Sequence, residues 1–137
     1  MRPVGDNVTM DVMNNDKNGA SKIGKFNWNE LVTGSETESQ NFYGSLFGWK
    51  SETFGQDYTI FKHDNEVVGG MEVSPEKNQP ARWLPYVVVE DVDECAARAE
   101  KLGAKICVDP FDAPTVGRIA VLTDPQGATI GIITPLK

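Results

Sequence analysis

Phe26-Asn27-Trp28-Asn29-Glu30-Leu31-Val32 alternates in character as a strand does, and Ser35 with Glu38 three positions later reads as a capping box that opens a helix. That helix carries Phe42, Tyr43, Leu46 and Phe47 to Gly48, a left-handed stop. The chain then repeats the pattern. Trp83-Leu84-Pro85-Tyr86-Val87-Val88-Val89 leads to Asp91 with Glu94 three positions on, and Val92, Ala96, Ala99 and Leu102 run to Gly103. Each copy predicts a strand and a capped helix with one apolar stripe. An internal repeat of this kind restricts the fold more than any single residue does.

The segments after the two helices are also alike. Residues 51–54, 58–62 and 67–73 are short β-type runs, with Gly55 and Asp64-Asn65 as turn candidates. In the second half, residues 105–108, 118–122 and 129–134 do the same, and Asp124-Pro125-Gln126-Gly127 has the residues of a type I turn. Each half therefore predicts one strand, one helix and three strands, an α+β fold of paired βαβββ modules over about residues 26–75 and 82–135. A sheet of that size, covered by helices on one side, leaves its other side free to curve around a ligand.

Composition narrows the function classes. A chain of 137 residues is one domain that can bury a core without a staple. Its formal charge of -7, with no basic cluster, argues against nucleic acid and anionic membrane as partners. No apolar run is long enough for a signal peptide or a membrane-spanning helix, so a cytoplasmic protein is expected. Cys95 and Cys107 fall on the second helix and the strand after it, where buried reduced thiols are ordinary. Residues 1–24 are rich in Asn, Asp, Gly and Lys and read as a flexible arm, in which Val8, Met10, Val12 and Met13 could pack on a neighbouring subunit.

Asn41-Phe42-Tyr43-Gly44-Ser45-Leu46-Phe47-Gly48-Trp49 and Asp124-Pro125-Gln126-Gly127-Ala128-Thr129-Ile130-Gly131 resemble, respectively, the first helix end and the last hairpin of the glyoxalase/bleomycin-resistance/extradiol-dioxygenase superfamily, also called vicinal oxygen chelate proteins. The resemblance covers residues 26–135. It implies that the modules curl into a curved mixed sheet or open barrel around a cavity, and that the protein forms a homodimer. In the metal-dependent members, four positions on the concave strands hold one divalent ion. By the resemblance these fall at Trp28, at Leu84, at Gly131, and at Gly70 or Met71. None of these side chains ligates a hard or borderline cation. The expectation is therefore no metal and no other cofactor.

Residues two apart share a face of a strand. The concave face of the first strand is expected to hold Trp28, Glu30 and Val32, and that of the second module's first strand Leu84, Tyr86 and Val88. With Met71 and Phe111 these form an aromatic and apolar pocket with one charge, Glu30, whose partner is Arg118 or Arg82. Glu30 either recognises a cationic or hydrogen-bond-donating ligand, serves as a general base, or closes an internal salt bridge. The lone His63 reads as a solvated turn residue, Trp49 as packing of the helix end, and Gly69-Gly70 as a bulge or a close backbone approach. No nucleophile and base stand together, so nucleophilic catalysis is not expected.

The residues support two main functional readings. The first is a glyoxalase/bleomycin-resistance-like protein that binds a small apolar or aromatic molecule without a metal, through Trp28, Glu30, Met71, Leu84, Tyr86, Phe111 and Arg118. The alternative is a metal-dependent lyase, isomerase or dioxygenase of the glyoxalase type. A one-residue register slip would bring Asn29 or Glu30 toward the metal position, but the second module would then offer only Trp83 or Pro85. A subunit of a larger assembly with no small ligand is a third reading.

Overall fold

A computed structural model of the protein describes residues 22–54, 58–74, 79–114 and 116–136. It contains two βαβββ modules. The first is β1 (Phe26–Thr33), α1 (Glu36–Phe47), β2 (Lys50–Phe54), β3 (Tyr58–His63) and β4 (Glu66–Val73). The second is β5 (Arg82–Val88), α2 (Val92–Lys101), β6 (Lys105–Ala113), β7 (Gly117–Thr123) and β8 (Thr129–Pro135). By internal contacts the described chain forms two compact units, one of residues 29–84, the other of residues 85–136 with those up to Trp28.

In the first unit the strands lie in the order β2-β3-β4-β1. β1 runs parallel to β4, placing Glu30 beside Gly70 and Leu31 beside Met71, and the other pairs are antiparallel. Asp64 and Asn65 both have positive φ, 53° and 67°, the backbone of the two-residue turn that matches strand twist. The core is Leu31, Phe61 and Met71, with Tyr43 and Trp49 packed on it. Gly69 is required by close approach, since a Cβ there would lie 2.9 Å from the carbonyl oxygen of Asn29.

The second unit repeats the arrangement in the order β5-β8-β7-β6, with β5 parallel to β8 and Tyr86 beside Gly131. Val92 and Ala96 of α2 pack on Ala120, Leu122 and Ile132, joined by Val89, Cys95 and Ala99. The β7–β8 turn closes as expected, with the Gly127 N–H donating to the Asp124 carbonyl at 2.9 Å while the Asp124 side chain accepts from the N–H groups of Gln126 and Ala128.

Both helix starts are capped by the residues the sequence indicates. Ser35 accepts from the Glu38 N–H at 3.2 Å, and Asp91 from the Glu94 N–H at 3.0 Å. The Ser35 N–H donates to Thr33 Oγ1 at 3.2 Å, so a strand residue takes the reciprocal bond that the capping box assigns to Glu38. α2 ends in a Schellman motif, with the Ala104 N–H reaching Ala99 and the Gly103 N–H reaching Glu100.

Three expectations are corrected. β6 extends to Ala113, well past residue 108, because Asp109 and Pro110 sit where its register with β7 shifts, and an outer strand tolerates a proline there. Cys107 is exposed rather than buried. The apolar stripe faces the core in α2 but not in α1, which has no buried residue. The arm expected over residues 1–24, with Val8, Met10, Val12 and Met13, lies outside the described residues up to position 21, as does the Gly55 turn. Residues 22–24 are bonded: Ile23 bridges Val88, and the Gly24 N–H donates to the Val88 carbonyl at 2.7 Å.

Candidate functional site

Each unit has one sheet face under its helix and one without, and strand parity sorts the side chains between them. In the second unit Ala120, Leu122 and Ile132 pack under α2. Their neighbours in sequence therefore point the other way. The register places Tyr86 beside Gly131, Gly131 beside Val121, Ile133 beside Val88 and Ile119, and Ile119 beside Phe111. The centre of this helix-free face is apolar, formed by Tyr86, Val88, Val108, Phe111, Ile119, Val121 and Ile133, with Lys105, beside Thr123, and Arg82 of the same parity at its margins. Tyr86, Val88 and Ile133 at its centre are buried, while Val108 and Phe111 on β6 remain 40% and 43% exposed.

Tyr86 and Gly131 form the floor of this face. A Cβ built on Gly131 would collide with the phenol ring of Tyr86, so the ring occupies the space that any larger residue at 131 would need. Phe111 and Tyr86, both named from sequence, are thus brought to one face. Val108, Ile119, Val121 and Ile133 were missed. The available signal was that residues 119–122 and 130–133 are apolar on both parities apart from Gly131, the pattern of a strand with neither face in water.

Arg118 is not on this face. It shares the parity of Ala120 and Leu122, lies beside Asp112 and Thr134, and reaches toward α2. Its guanidinium donates to both Asp93 carboxylate oxygens, at 2.6 and 3.0 Å, and to Asp112 at 3.1 Å. Hydrogen bonding to Arg118 holds the Asp93 carboxyl below its usual range, and the two carboxylates push the guanidinium further up. Arg118 is consequently spent on a surface ion pair and is withdrawn as a ligand-binding residue.

The helix-free face of the first unit differs in character. Glu30 and Val32 lie on the side of β1 opposite Leu31, and the register adds Gly70 and Glu72 from β4, Ile60 and Tyr58 from β3, and Glu52 from β2. Glu30 is 6% exposed. Glu72 is exposed at the end of β4, and the partial desolvation of its carboxyl there pushes it above its ordinary range. Lys62 pairs with Glu52 at 3.2 Å. Met71 is not on this face. It lies beside Leu31 and packs with Phe61 beneath α1, because position 71 has the parity opposite to Gly70 and Glu72. Met71 is therefore core and not pocket.

Trp28 shares the face of β1 that holds Glu30, and Leu84 the face of β5 opposite Trp83; both are buried. Arg82 has the parity of Leu84, and its Nε is buried without an acceptor among the described residues. His63 is about half exposed with Asp64 at 3.3 Å, and Trp49 stacks on Tyr43 at the end of α1, both as expected.

The family's metal does not fit these residues. The indole of Trp28 and the isobutyl group of Leu84 offer no donor, and Gly131 has the Tyr86 ring where a ligand side chain would project. At the fourth position Gly70 has no side chain and Met71 lies beneath the helix. Among the described residues no group of three or more His, Cys, Asp or Glu is placed to hold a metal ion. No helix among them is long and apolar enough to cross a membrane.

Comparison with known proteins adds to the geometry. The sequence profile of the glyoxalase/bleomycin resistance protein/dioxygenase superfamily matches residues 25–132. The candidate glyoxylase CFP32 of Mycobacterium tuberculosis is 35% identical over 119 residues, covering 84% of this chain and 46% of CFP32. The anthracycline biosynthesis protein DnrV of Streptomyces peucetius is 29% identical over 123 residues, covering 77% of this chain and 45% of DnrV. The chain thus spans under half the length of these relatives. Among solved structures, an extradiol ring-cleaving dioxygenase from B. fuscum superposes with a TM-score of 0.60 at 17% identity, covering 85% of this chain and 34% of the dioxygenase. That likeness bears on the fold alone.

Proposed function

The chain belongs to the glyoxalase/bleomycin resistance protein/dioxygenase superfamily, and from that premise we propose that it binds a small apolar or aromatic molecule without a metal, on the helix-free face of its second unit. The observation that carries this reading is the apolar centre of that face, Tyr86, Val88, Val108, Phe111, Ile119, Val121 and Ile133, of which Val108 and Phe111 remain open to solvent. A sheet face without a covering helix leaves apolar surface in water, and an apolar guest removes it. The name of DnrV places that relative in anthracycline biosynthesis, so fused-ring aromatic molecules are the first ligands to test.

A flat guest would lie against the Phe111 ring and the Val108 and Ile119 side chains, above the Tyr86–Gly131 floor. Removing about 200 Å² of apolar surface from water is worth about 5 kcal/mol. That alone corresponds to a dissociation constant of about 0.2 mM and association costs weaken it, so dissociation constants in the millimolar range are expected. No residue is assigned a catalytic role.

Fluorescence titration with a fused-ring aromatic probe tests the proposal, using the wild type, Phe111→Ala, Val108→Asp and an Asp112→Ala control. Saturable binding weakened about tenfold by Phe111→Ala and abolished by Val108→Asp supports the reading, provided that Asp112→Ala and EDTA leave it unchanged. Binding indifferent to both face variants, or lost on chelation, overturns it.

A further inference from the structure

The chain carries 20 acidic and 13 basic side chains, yet the charges that border the apolar face of the second unit, Lys105 and Arg82, are both positive. No acidic residue occupies a ladder position of that parity on β5, β6, β7 or β8. The acids nearby are placed otherwise. Asp112 shares the side of Arg118 and pairs with it, Asp109 falls in the bulge where the register of β6 shifts, and the Asp124 carboxylate accepts from the N–H groups of Gln126 and Ala128. The helix-free face of the first unit has the opposite character, with Glu30, Glu52 and Glu72.

Lys105 turns away from its neighbour Ile106, which packs under α2, and stands directly opposite Thr123. It is exposed and forms no ion pair among the described residues. Directly opposed side chains leave their strands about 4.5–5.5 Å apart, so the ammonium and the Thr123 hydroxyl can meet one anionic group. Thr123 Oγ1 lies 2.9 Å from the Cys107 thiol. A hydroxyl has one proton and two lone pairs, and when the thiol donates to it the hydroxyl proton is left for a ligand.

Lys105 opposes Thr123, Val108 opposes Val121 and Phe111 opposes Ile119, so the three β6 residues follow one another in two-residue steps along β7, about 7 Å each. A lysine stem lies along apolar surface and leaves its ammonium in water. The ammonium thereby reaches the edge of a ring resting on Val108 and Phe111. We propose that the ligand of this face is an aromatic carboxylate, its ring on Val108 and Phe111 and its carboxylate held by the Lys105 ammonium and the Thr123 hydroxyl. The inference rests on the reading of this face as a binding surface and adds the charge of the ligand. A neutral ring gains burial alone, whereas a carboxylate adds charge-assisted hydrogen bonds. An amine would meet only like charge at the margins, and elsewhere on so acidic a chain an anion is repelled.

Chemical-shift titration of the isotope-labelled full chain with naphthoate, naphthamide and naphthylmethylammonium is the test. The wild type should bind naphthoate about tenfold more tightly than naphthamide, and the ammonium compound least, with the Val108, Phe111 and Thr123 amide signals moving. Lys105→Met should remove the naphthoate advantage and leave naphthamide binding unchanged, and Lys105→Glu should reverse the order of the two charged probes. Thr123→Val should weaken naphthoate by about threefold and naphthamide not at all. Lys101→Met, an equal change of net charge on α2, should alter none of the three affinities. A wild type that binds all three probes equally, with Phe111→Ala still weakening them, overturns the carboxylate preference and keeps the apolar-face reading. A naphthoate preference that survives Lys105→Met overturns the assignment of Lys105, and no saturable shift with any probe overturns both readings.

Discussion

The pair Tyr86 and Gly131 shows how one missing side chain commits a site. With no Cβ at 131 the phenol ring rests on the backbone of β8, and a methyl group there would drive it off. Gly131→Ala should cost about 1–3 kcal/mol by overpacking. In a Tyr86→Ala background the same substitution should cost almost nothing, since the two residues interact directly. Urea midpoints of the four proteins check this, and additive losses would contradict it. Glu72 carries a pH signature. The residue is exposed but its carboxyl is partly desolvated and raised in the folded state, so ionising it costs a little stability as pH rises from the unfolded value through the folded one. Glu72→Gln should therefore stabilise the protein at pH 7, and the gain should disappear below the usual carboxylate range. Unfolding curves at pH 7 and pH 3.5 decide it, an equal gain at both being the adverse outcome. Met71 and Arg118 were misplaced for a residue-scale reason. Alternation assigns two faces but not which is covered, and a one-position difference along β4 or β7 exchanges pocket for core or surface.

At the scale of elements, local chemistry is sufficient where the partner of a group lies within a few residues. The Ser35 and Asp91 caps, the Asp64-Asn65 turn and the Asp124 turn all appear where their residues indicate. Ser35→Ala should destabilise the protein by about 1 kcal/mol. Ser35→Asp should restore most of that, and a urea midpoint unchanged by Ser35→Ala would show that Thr33 alone secures the helix start. The apolar content of α1 was legible in the sequence, but its rotation was not. Glu36 and Ser39 are held by Thr59 and Thr33, partners that the topology supplies, and these bonds turn Phe42 and Leu46 outward. β6 ran past its apparent end because a proline stops a strand only where its missing N–H is needed.

For the whole molecule, the consequence of a reading without a metal is that chelation should change nothing. Protein purified without chelator or affinity metal should hold no stoichiometric manganese, iron, nickel or zinc, and EDTA should leave its thermal midpoint in place. A bound ion at a hundredfold excess over its dissociation constant would contribute about 2.7 kcal/mol, so a fall in midpoint on chelation would reveal a site assembled from other residues. The sequence by itself determined the α+β class, the repeated βαβββ module, and the caps and turns. Those depend on residue type and on spacing along the chain. Only the tertiary structure decided that Tyr86 covers Gly131, that Met71 and Arg118 leave the pocket, that the apolar helix-free face belongs to the second unit, and that α1 shows its apolar side to solvent. Each of these depends on strand register and helix rotation, which are set by contacts between residues distant in sequence.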